Sequence, residues 1–250
     1  MTCYCDAHCH LGSRQFDEDR EAVLSRMKKT GVEKAIIICC SSHDRKEGIR
    51  LRKEDPHFKL ALSIHPQDLE DHDLNRLTEL KENLIDSHAD MIGEIGLDYY
   101  SHPHTKEFQK QFFIEQLKMA QELHLPVDIH TRKASEDTLK ILKEYPVKGI
   151  IHSYSGSIEM ARAYMKEGYL ISFGASVLFK NAKKPIEVIR QIPAEYLLIE
   201  TDAPYQSPVL DHRHEPSDIE AIYRKIAEIR NEDLEDLKKI TEDNFDRVFH

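Results

Sequence analysis

Six residues of types that ligate divalent metals, His8, His10, Glu94, His130, His152 and Asp202, each stand where an apolar, β-rich run gives way to polar loop residues. Their contexts are Cys3-Tyr-Cys-Asp-Ala-His-Cys-His10, Met91-Ile-Gly-Glu94, Val127-Asp-Ile-His130, Gly149-Ile-Ile-His152 and Leu197-Leu-Ile-Glu-Thr-Asp202. Mixed imidazole and carboxylate donors suit Zn²⁺, Mn²⁺ and similar first-row ions, and they tolerate Mg²⁺ when water completes its shell. A lone histidine at a strand end is usually a hydrogen-bonded core group. Six such donors in phase with strand ends are different, because four imidazoles and two carboxylates buried together are costly without a cation. His8 and His10, two apart on the first strand candidate, face the same way.

The elements that must position these groups follow from the apolar pattern. Lys34–Cys40, Lys59–His65 and Tyr169–Gly174 have the same short, continuous apolar character, which suits parallel strands covered on both faces, and they bring the strand candidates to eight. Between them run amphipathic helical patterns, clearest over 106–123, where Phe108, Phe112, Phe113, Leu117 and Ala120 share one side. Taking His8, Cys40, His65, Glu94, His130, His152, Gly174 and Asp202 as strand ends gives intervals of 32, 25, 29, 36, 22, 22 and 28 residues. A βα repeat occupies roughly 30 residues, so the chain reads as one (β/α)8 TIM barrel domain over 1–250. In that fold the strands' C-terminal ends form the active-site face, where all six donors would meet.

Composition bounds the rest. No stretch approaches the roughly 18 consecutive apolar residues of a membrane span, and 1–10 has no apolar signal core, so the expectation is a cytoplasmic protein without membrane contact. The five cysteines, Cys3, Cys5, Cys9, Cys39 and Cys40, are odd in number and crowd the first two strands, which argues against a disulfide framework. A zinc site on Cys3 and Cys5 lacks a second pair of suitable spacing. The formal charge of −10 excludes a broad duplex-coating surface, so a nucleic acid would have to bind a local positive patch. Histidines other than the four donors and His65 read as ordinary surface or loop groups.

The motifs Asp6-Ala-His-Cys-His-Leu11, Ile64-His-Pro66, Gly93-Glu-Ile-Gly-Leu-Asp-Tyr99, His130-Thr-Arg132, His152-Ser-Tyr-Ser-Gly-Ser157, Glu200-Thr-Asp-Ala-Pro-Tyr205 and Arg213-His-Glu-Pro216 run in order along the chain. Together they closely resemble the TatD family of metal-dependent hydrolases, TIM-barrel nucleases related to the amidohydrolases. The resemblance implies two divalent ions, one held by His8, His10, Glu94 and Asp202 and the other by Glu94, His130 and His152, with Glu94 bridging. It also implies that no carbamylated lysine is needed. Asp202 would both hold a metal and accept the nucleophile's proton. His65 is the candidate contact to the scissile phosphate or leaving oxygen, its bland alternative being a loop hydrogen bond. Arg132 could pair with phosphate or serve in a structural salt bridge.

A positive, aromatic rim would reconcile the acidic charge with a nucleic-acid substrate. Arg14, Arg132, Lys180, Lys183, Lys184 and Arg213 follow strand candidates, as do Tyr99, Tyr100, Tyr154 and Tyr205, on which unpaired bases could stack. The reading is a metal-dependent phosphodiesterase, first a 3′-to-5′ exodeoxyribonuclease on single-stranded ends with RNA as a further polymer, and a monomer or weak homo-oligomer. Its rivals are a hydrolase of a small amide, ester or lactone, and a non-catalytic metal-binding scaffold.

Overall fold

The computed structural model of the chain describes residues 2–69 and 75–250. Eight parallel strands, β1 (Tyr4–Cys9), β2 (Val32–Cys39), β3 (Phe58–Leu62), β4 (Met91–Asp98), β5 (Val127–Arg132), β6 (Gly149–Ile151), β7 (Tyr169–Phe173) and β8 (Leu197–Ile199), pair in chain order. Beyond the short β8, the backbone closes the ring: Asp202 N–H donates to His8 O at 2.9 Å and His10 N–H to Ala203 O at 2.7 Å. Between and after the strands lie α1 (Arg20–Thr30), α2 (Ser42–Glu54), α3 (Asn75–Asp86), α4 (Lys106–Leu123), α5 (Ser135–Glu144), α6 (Ile158–Lys166), α7 (Lys183–Gln191), α8 (Ile219–Arg230) and α9 (Leu234–Val248). The result is the (β/α)8 barrel that the repeat spacing predicts.

Local chemistry sets the helix ends. The Ser41 hydroxyl accepts the Asp44 amide while the Asp44 carboxylate accepts the Ser41 amide, a reciprocal cap that starts α2 just past β2. The expected strand end at Cys40 therefore moves to Cys39. Gly31 ends α1 in the left-handed region at φ 85°, and its amide returns to the last helical carbonyls.

Two apolar layers result. Ile37, Leu60, Ile95, Ile129, Ile151, Ile171 and Ile199 face the helices, together with Phe112, Phe113 and Leu117 of α4. Cys3, Cys5, Ala7, Ile36, Ile38, Ala61, Met91, Ile150, Leu170 and Leu198 form the second cluster, joined by Phe245 and Val248 of α9. This second set plugs the barrel's N-terminal half, leaving the opposite end for polar groups. All five cysteines are free thiols, four of them buried, as expected of thiols packed along strands.

Two bulges set the direction in which the ligand candidates face. In β1, Asp6 pairs with Ala35 and Cys9 with Ile37, so three steps along β1 match two along β2; between Ile92 and Ile95, β4 likewise gains one residue on β5. Each extra residue flips the alternation. Cys3, Cys5 and Ala7 point into the lower plug, yet beyond the bulge it is His8 and His10 that face the upper end. Met91 joins the plug and, past the second bulge, Glu94 faces the mouth.

Candidate metal centre

The donors meet at the C-terminal end of the barrel. His10 lies one residue beyond β1, and His152 and Asp202 lie beyond their short strands, so backbone just past the strands carries half the set. Even so, His8 Nε2 and His10 Nε2 are 3.2 Å apart. Glu94 Oε2 lies 3.6 Å from His8 Nε2 and 3.8 Å from His10 Nε2, while Asp202 Oδ1 is 3.5 Å and 3.4 Å from the same nitrogens. Metal–ligand bonds of about 2.0–2.3 Å in tetrahedral or octahedral geometry require donor separations of about 2.8–3.8 Å, so His8, His10 and Glu94 have the spacing of donors around one ion, and Asp202 has it toward both imidazoles.

The other oxygen of Glu94 looks the opposite way. Oε1 lies 2.5 Å from His130 Nδ1, 2.9 Å from His152 Nε2 and 3.3 Å from His65 Nε2. Glycine makes this approach possible. At Gly96, φ is +140° and a Cβ would stand 2.0 Å from His130 O, so only glycine lets β4 lie against β5 here.

Carboxylates behind the imidazoles decide which nitrogen keeps a lone pair. His8 Nδ1 donates toward Asp128 Oδ1 at 3.1 Å, His152 Nδ1 toward Glu200 Oε1 at 3.2 Å, and His130 Nε2 faces Asp98 Oδ2 at 3.5 Å. Their opposite nitrogens, free to coordinate, are those that face Glu94. His65 is reversed: its Nδ1 accepts the Gln67 amide at 3.2 Å, so the neutral ring carries its proton on Nε2. Although distance groups His65 with Glu94 and His130, its tautomer makes it a donor into the cleft.

Sequence reasoning did not single out Asp6, Asp98, Asp128 or Glu200. A signal existed, since Asp6, Asp128 and Glu200 each stand two residues before a candidate ligand, on the same side of an extended chain. Gln109 and Gln116 of α4 were missed too. Their amides clamp the backbone at Asp98 and Ile64, fixing the two loops that carry Asp98 and His65.

The electrostatics favour a cation. Burial alone would hold the Glu94 carboxyl up, but the His152, His65 and His130 imidazoles bring it well below the usual carboxylate range. Asp202 behaves alike, with His10 and His8 overcoming burial. Burial depresses His8, His152 and His130, yet the facing carboxylates carry all three above the ordinary imidazole value. Asp6, fully buried, is pushed up to about 7 despite the Thr201 and His8 bonds it accepts. Asp128 Oδ2 and Glu200 Oε2 are buried without hydrogen-bond partners. The chemistry of the donors fits a divalent metal, which would take the place of protons on these imidazoles.

Residues 5–250 match the family described as TatD related DNase. The chain belongs to the TatD family. It is 38% identical over 249 residues to a Bacillus subtilis (strain 168) protein named uncharacterized metal-dependent hydrolase YabD, covering 98% of each. It is 32% identical over 254 residues to the Escherichia coli (strain K12) uncharacterized metal-dependent hydrolase YcfH, covering 98% of this chain and 95% of that one. The crystal structure of YjjV, a TatD homolog from E. coli K12, superposes with a TM-score of 0.90 at 29% identity, over 98% of this chain and 97% of the other.

Around this TatD centre a cleft of about 760 Å³ opens, lined by His10, His65, Glu94, His130, His152 and Asp202 and walled by Asp44, Asp68, Arg132 and Tyr205. The expected rim is corrected at several positions. Arg213 is held by Asp19 and Glu215 and stacks on Phe16, because two carboxylates on its own side satisfy its fork. Tyr99 donates to Asp137 at 2.7 Å beneath Lys106, away from the cleft, and Tyr154 is buried packing. Lys180, Lys183 and Lys184 are exposed but do not line the cleft, the latter two lying in the first turn of α7. Arg132 does line it, stacking on the exposed Tyr100 at 4.1 Å and donating to Ser101; no carboxylate among the described residues pairs with it. His214, expected at the surface, is fully buried with Nδ1 donating to Tyr205 O. Among the described residues no helix is long and apolar enough to cross a membrane.

Proposed function

We propose that this TatD protein is a metal-dependent phosphodiesterase that removes nucleotides from the 3′ end of single-stranded DNA, with RNA as a further substrate. His8, His10, Glu94 and Asp202 would hold one divalent ion and Glu94, His130 and His152 a second. The observation that carries this reading is the division of Glu94, whose Oε2 faces the His8/His10 pair and whose Oε1 faces His130 and His152. The family description as DNases and the relatives' names as metal-dependent hydrolases support it.

Bound there, such ions supply Lewis-acid stabilisation of developing phosphoryl charge and a water of lowered pKa. The protein's own groups do the rest. Asp202, kept ionised by two imidazoles, accepts the nucleophile's proton. His65 presents Nε2–H to the phosphoryl or leaving oxygen. Arg132 meets the next phosphate, and the exposed rings of Tyr100 and Tyr205 offer stacking surfaces for unpaired bases. Asp44 and Asp68, which also line the cleft, repel a continuing polyanion, which favours a strand end over an interior position.

One observation favours a second reading. Among the described residues Arg132 is the sole lysine or arginine lining the cleft, which would also suit a small amide, ester or lactone with one anionic group. A non-catalytic scaffold gains no such support, since it needs no oriented imidazoles. The deciding experiment loads the purified protein with Mn²⁺, Zn²⁺ or Mg²⁺ and compares a 5′-labelled single-stranded oligonucleotide with acyl, amide and lactone substrates. A stepwise ladder shrinking from the 3′ end is expected; cleavage of the small carbonyl compounds alone would discard the nuclease reading.

A further inference from the structure

We infer that Gln206 is a positioning residue for Asp202: its carboxamide takes one carboxylate oxygen and thereby assigns the other to the imidazole side of the cleft. The inference rests on the reading of Asp202 as metal ligand and proton acceptor. Gln206 Nε2 donates to Asp202 Oδ2 at 2.5 Å and to Ser153 Oγ at 2.9 Å. Asp202 Oδ1, by contrast, faces His10 Nε2 and His8 Nε2 at 3.4 and 3.5 Å. Rotation about the carboxylate torsion is broad and two-fold, so the side chain by itself does not distinguish its oxygens. The Gln206 donor does.

The backbone is arranged for this contact. Ser153, Asp202 and Gln206 have φ of 45°, 60° and 54°, in the left-handed region that non-glycine residues seldom occupy. All three belong to one hydrogen-bonded chain, and such outliers concentrate where function over-determines geometry. The turn returns on itself through Tyr205 N–H donating to Asp202 O at 2.8 Å, which brings the Gln206 side chain back over the carboxylate. At the other end, Ser153 N–H donates to Glu200 Oε1, the oxygen that also faces His152 Nδ1. A continuous set of bonds thus links the loops after β6 and β8 across the cleft. Being neutral, the carboxamide orients the anion without cancelling the charge a cation needs; a lysine or arginine there would compete with the metal.

Partners that orient ligands typically contribute 10- to 100-fold in metal affinity or activity. The test is a double-mutant cycle of Gln206→Met and Asp202→Asn, read by calorimetric titration of the metal-free proteins with Mn²⁺ and by kcat and KM on bis(4-nitrophenyl) phosphate at saturating Mn²⁺. Methionine keeps the length and removes the donor. The single Gln206→Met protein is expected to bind Mn²⁺ about tenfold more weakly and to lose about tenfold in kcat at unchanged KM. In the Asp202→Asn background the same change should have no further effect on Mn²⁺ affinity. Wild-type affinity and kcat in Gln206→Met, or an equal loss in both backgrounds, would overturn the inference. If Asp202→Asn weakens metal binding and turnover while Gln206→Met is silent, only the role of Gln206 falls; if Asp202→Asn is itself silent, the reading of Asp202 falls with it.

Discussion

Replacing Glu94 with Gln changes one atom and removes one charge, which makes it a stringent probe of the bridge. The carboxylate is 4% exposed and meets five imidazole nitrogens between 2.5 and 3.8 Å, so the substitution acts where screening is weak. The carboxamide retains one coordinating oxygen and turns the other into a donor that faces a lone pair or a cation. A unit charge about 4 Å from a second one is worth about 4 kcal/mol at an effective dielectric of 20. For a divalent cation on the disfavoured side this doubles to about 8 kcal/mol; with water and the retained oxygen recovering about half, the expected loss is about 10³-fold in affinity. Glu94→Gln should therefore bind one ion with reduced affinity, bind the second too weakly to retain on desalting, and lose at least about 10²-fold in turnover. Folding should persist, because the apolar plug at the N-terminal end of the barrel is untouched. Elemental analysis of the desalted protein reads the stoichiometry, calorimetry the affinities, and circular dichroism the fold. Two tightly held ions per chain with near-normal turnover would refute the bridging assignment.

Three further outcomes are expected. Asp202→Asn at saturating metal should reduce kcat by about 10²-fold or more with little change in KM, as for loss of a general base; unchanged turnover contradicts that role. Arg132→Ala should lower the slope of log affinity against log salt for a short single-stranded oligonucleotide by about 0.7, while replacing Lys180, Lys183 and Lys184 together should leave hydrolysis of a dinucleotide unaffected; the reverse pattern would restore those lysines to the substrate path. Because His8, His130 and His152 sit above the ordinary imidazole value of 6.5 in the metal-free fold, their protonation stabilises that fold below pH 6.5, and this stability is lost as pH rises through the raised values. Metal competes for the same lone pairs, so loading near neutral pH should release protons. Titrations in buffers of differing ionisation enthalpy would report the release, and enthalpies independent of buffer would exclude it.

Much of the molecule was legible in the chain because two short-range regularities survive folding. Continuous apolar runs of parallel strands, separated by helical patterns at a near-constant interval, specify the (β/α)8 barrel. That fold in turn places every strand's end on one face, so His8, His10, Glu94, His130, His152 and Asp202 could be grouped without knowing any distance. Residue type supplied the chemistry. The rim was read less well, since loop position says only that a side chain is near the mouth. Whether a cation is available depends on its neighbours: Arg213 meets Asp19 at the cap of α1, 194 positions away in the chain, whereas among the described residues the Arg132 side chain meets Tyr100 and Ser101 and no carboxylate.

Tertiary structure alone decided the phase and the roles. The bulges at Ala7–His8 and Gly93–Glu94 turn the ligand candidates toward the mouth although the residues before them alternate into the plug, and a bulge depends on the register against a neighbouring strand. Nor can a sequence state which nitrogen of a histidine keeps its lone pair. Asp128 and Glu200 set that for His8 and His152 from other strands, and the Gln67 amide sets the opposite state for His65. The sequence by itself determined which atoms could bind metal and that they share one end of a barrel; the packed fold determined which way each atom faces, because orientation is a property of contacts between segments far apart in the chain.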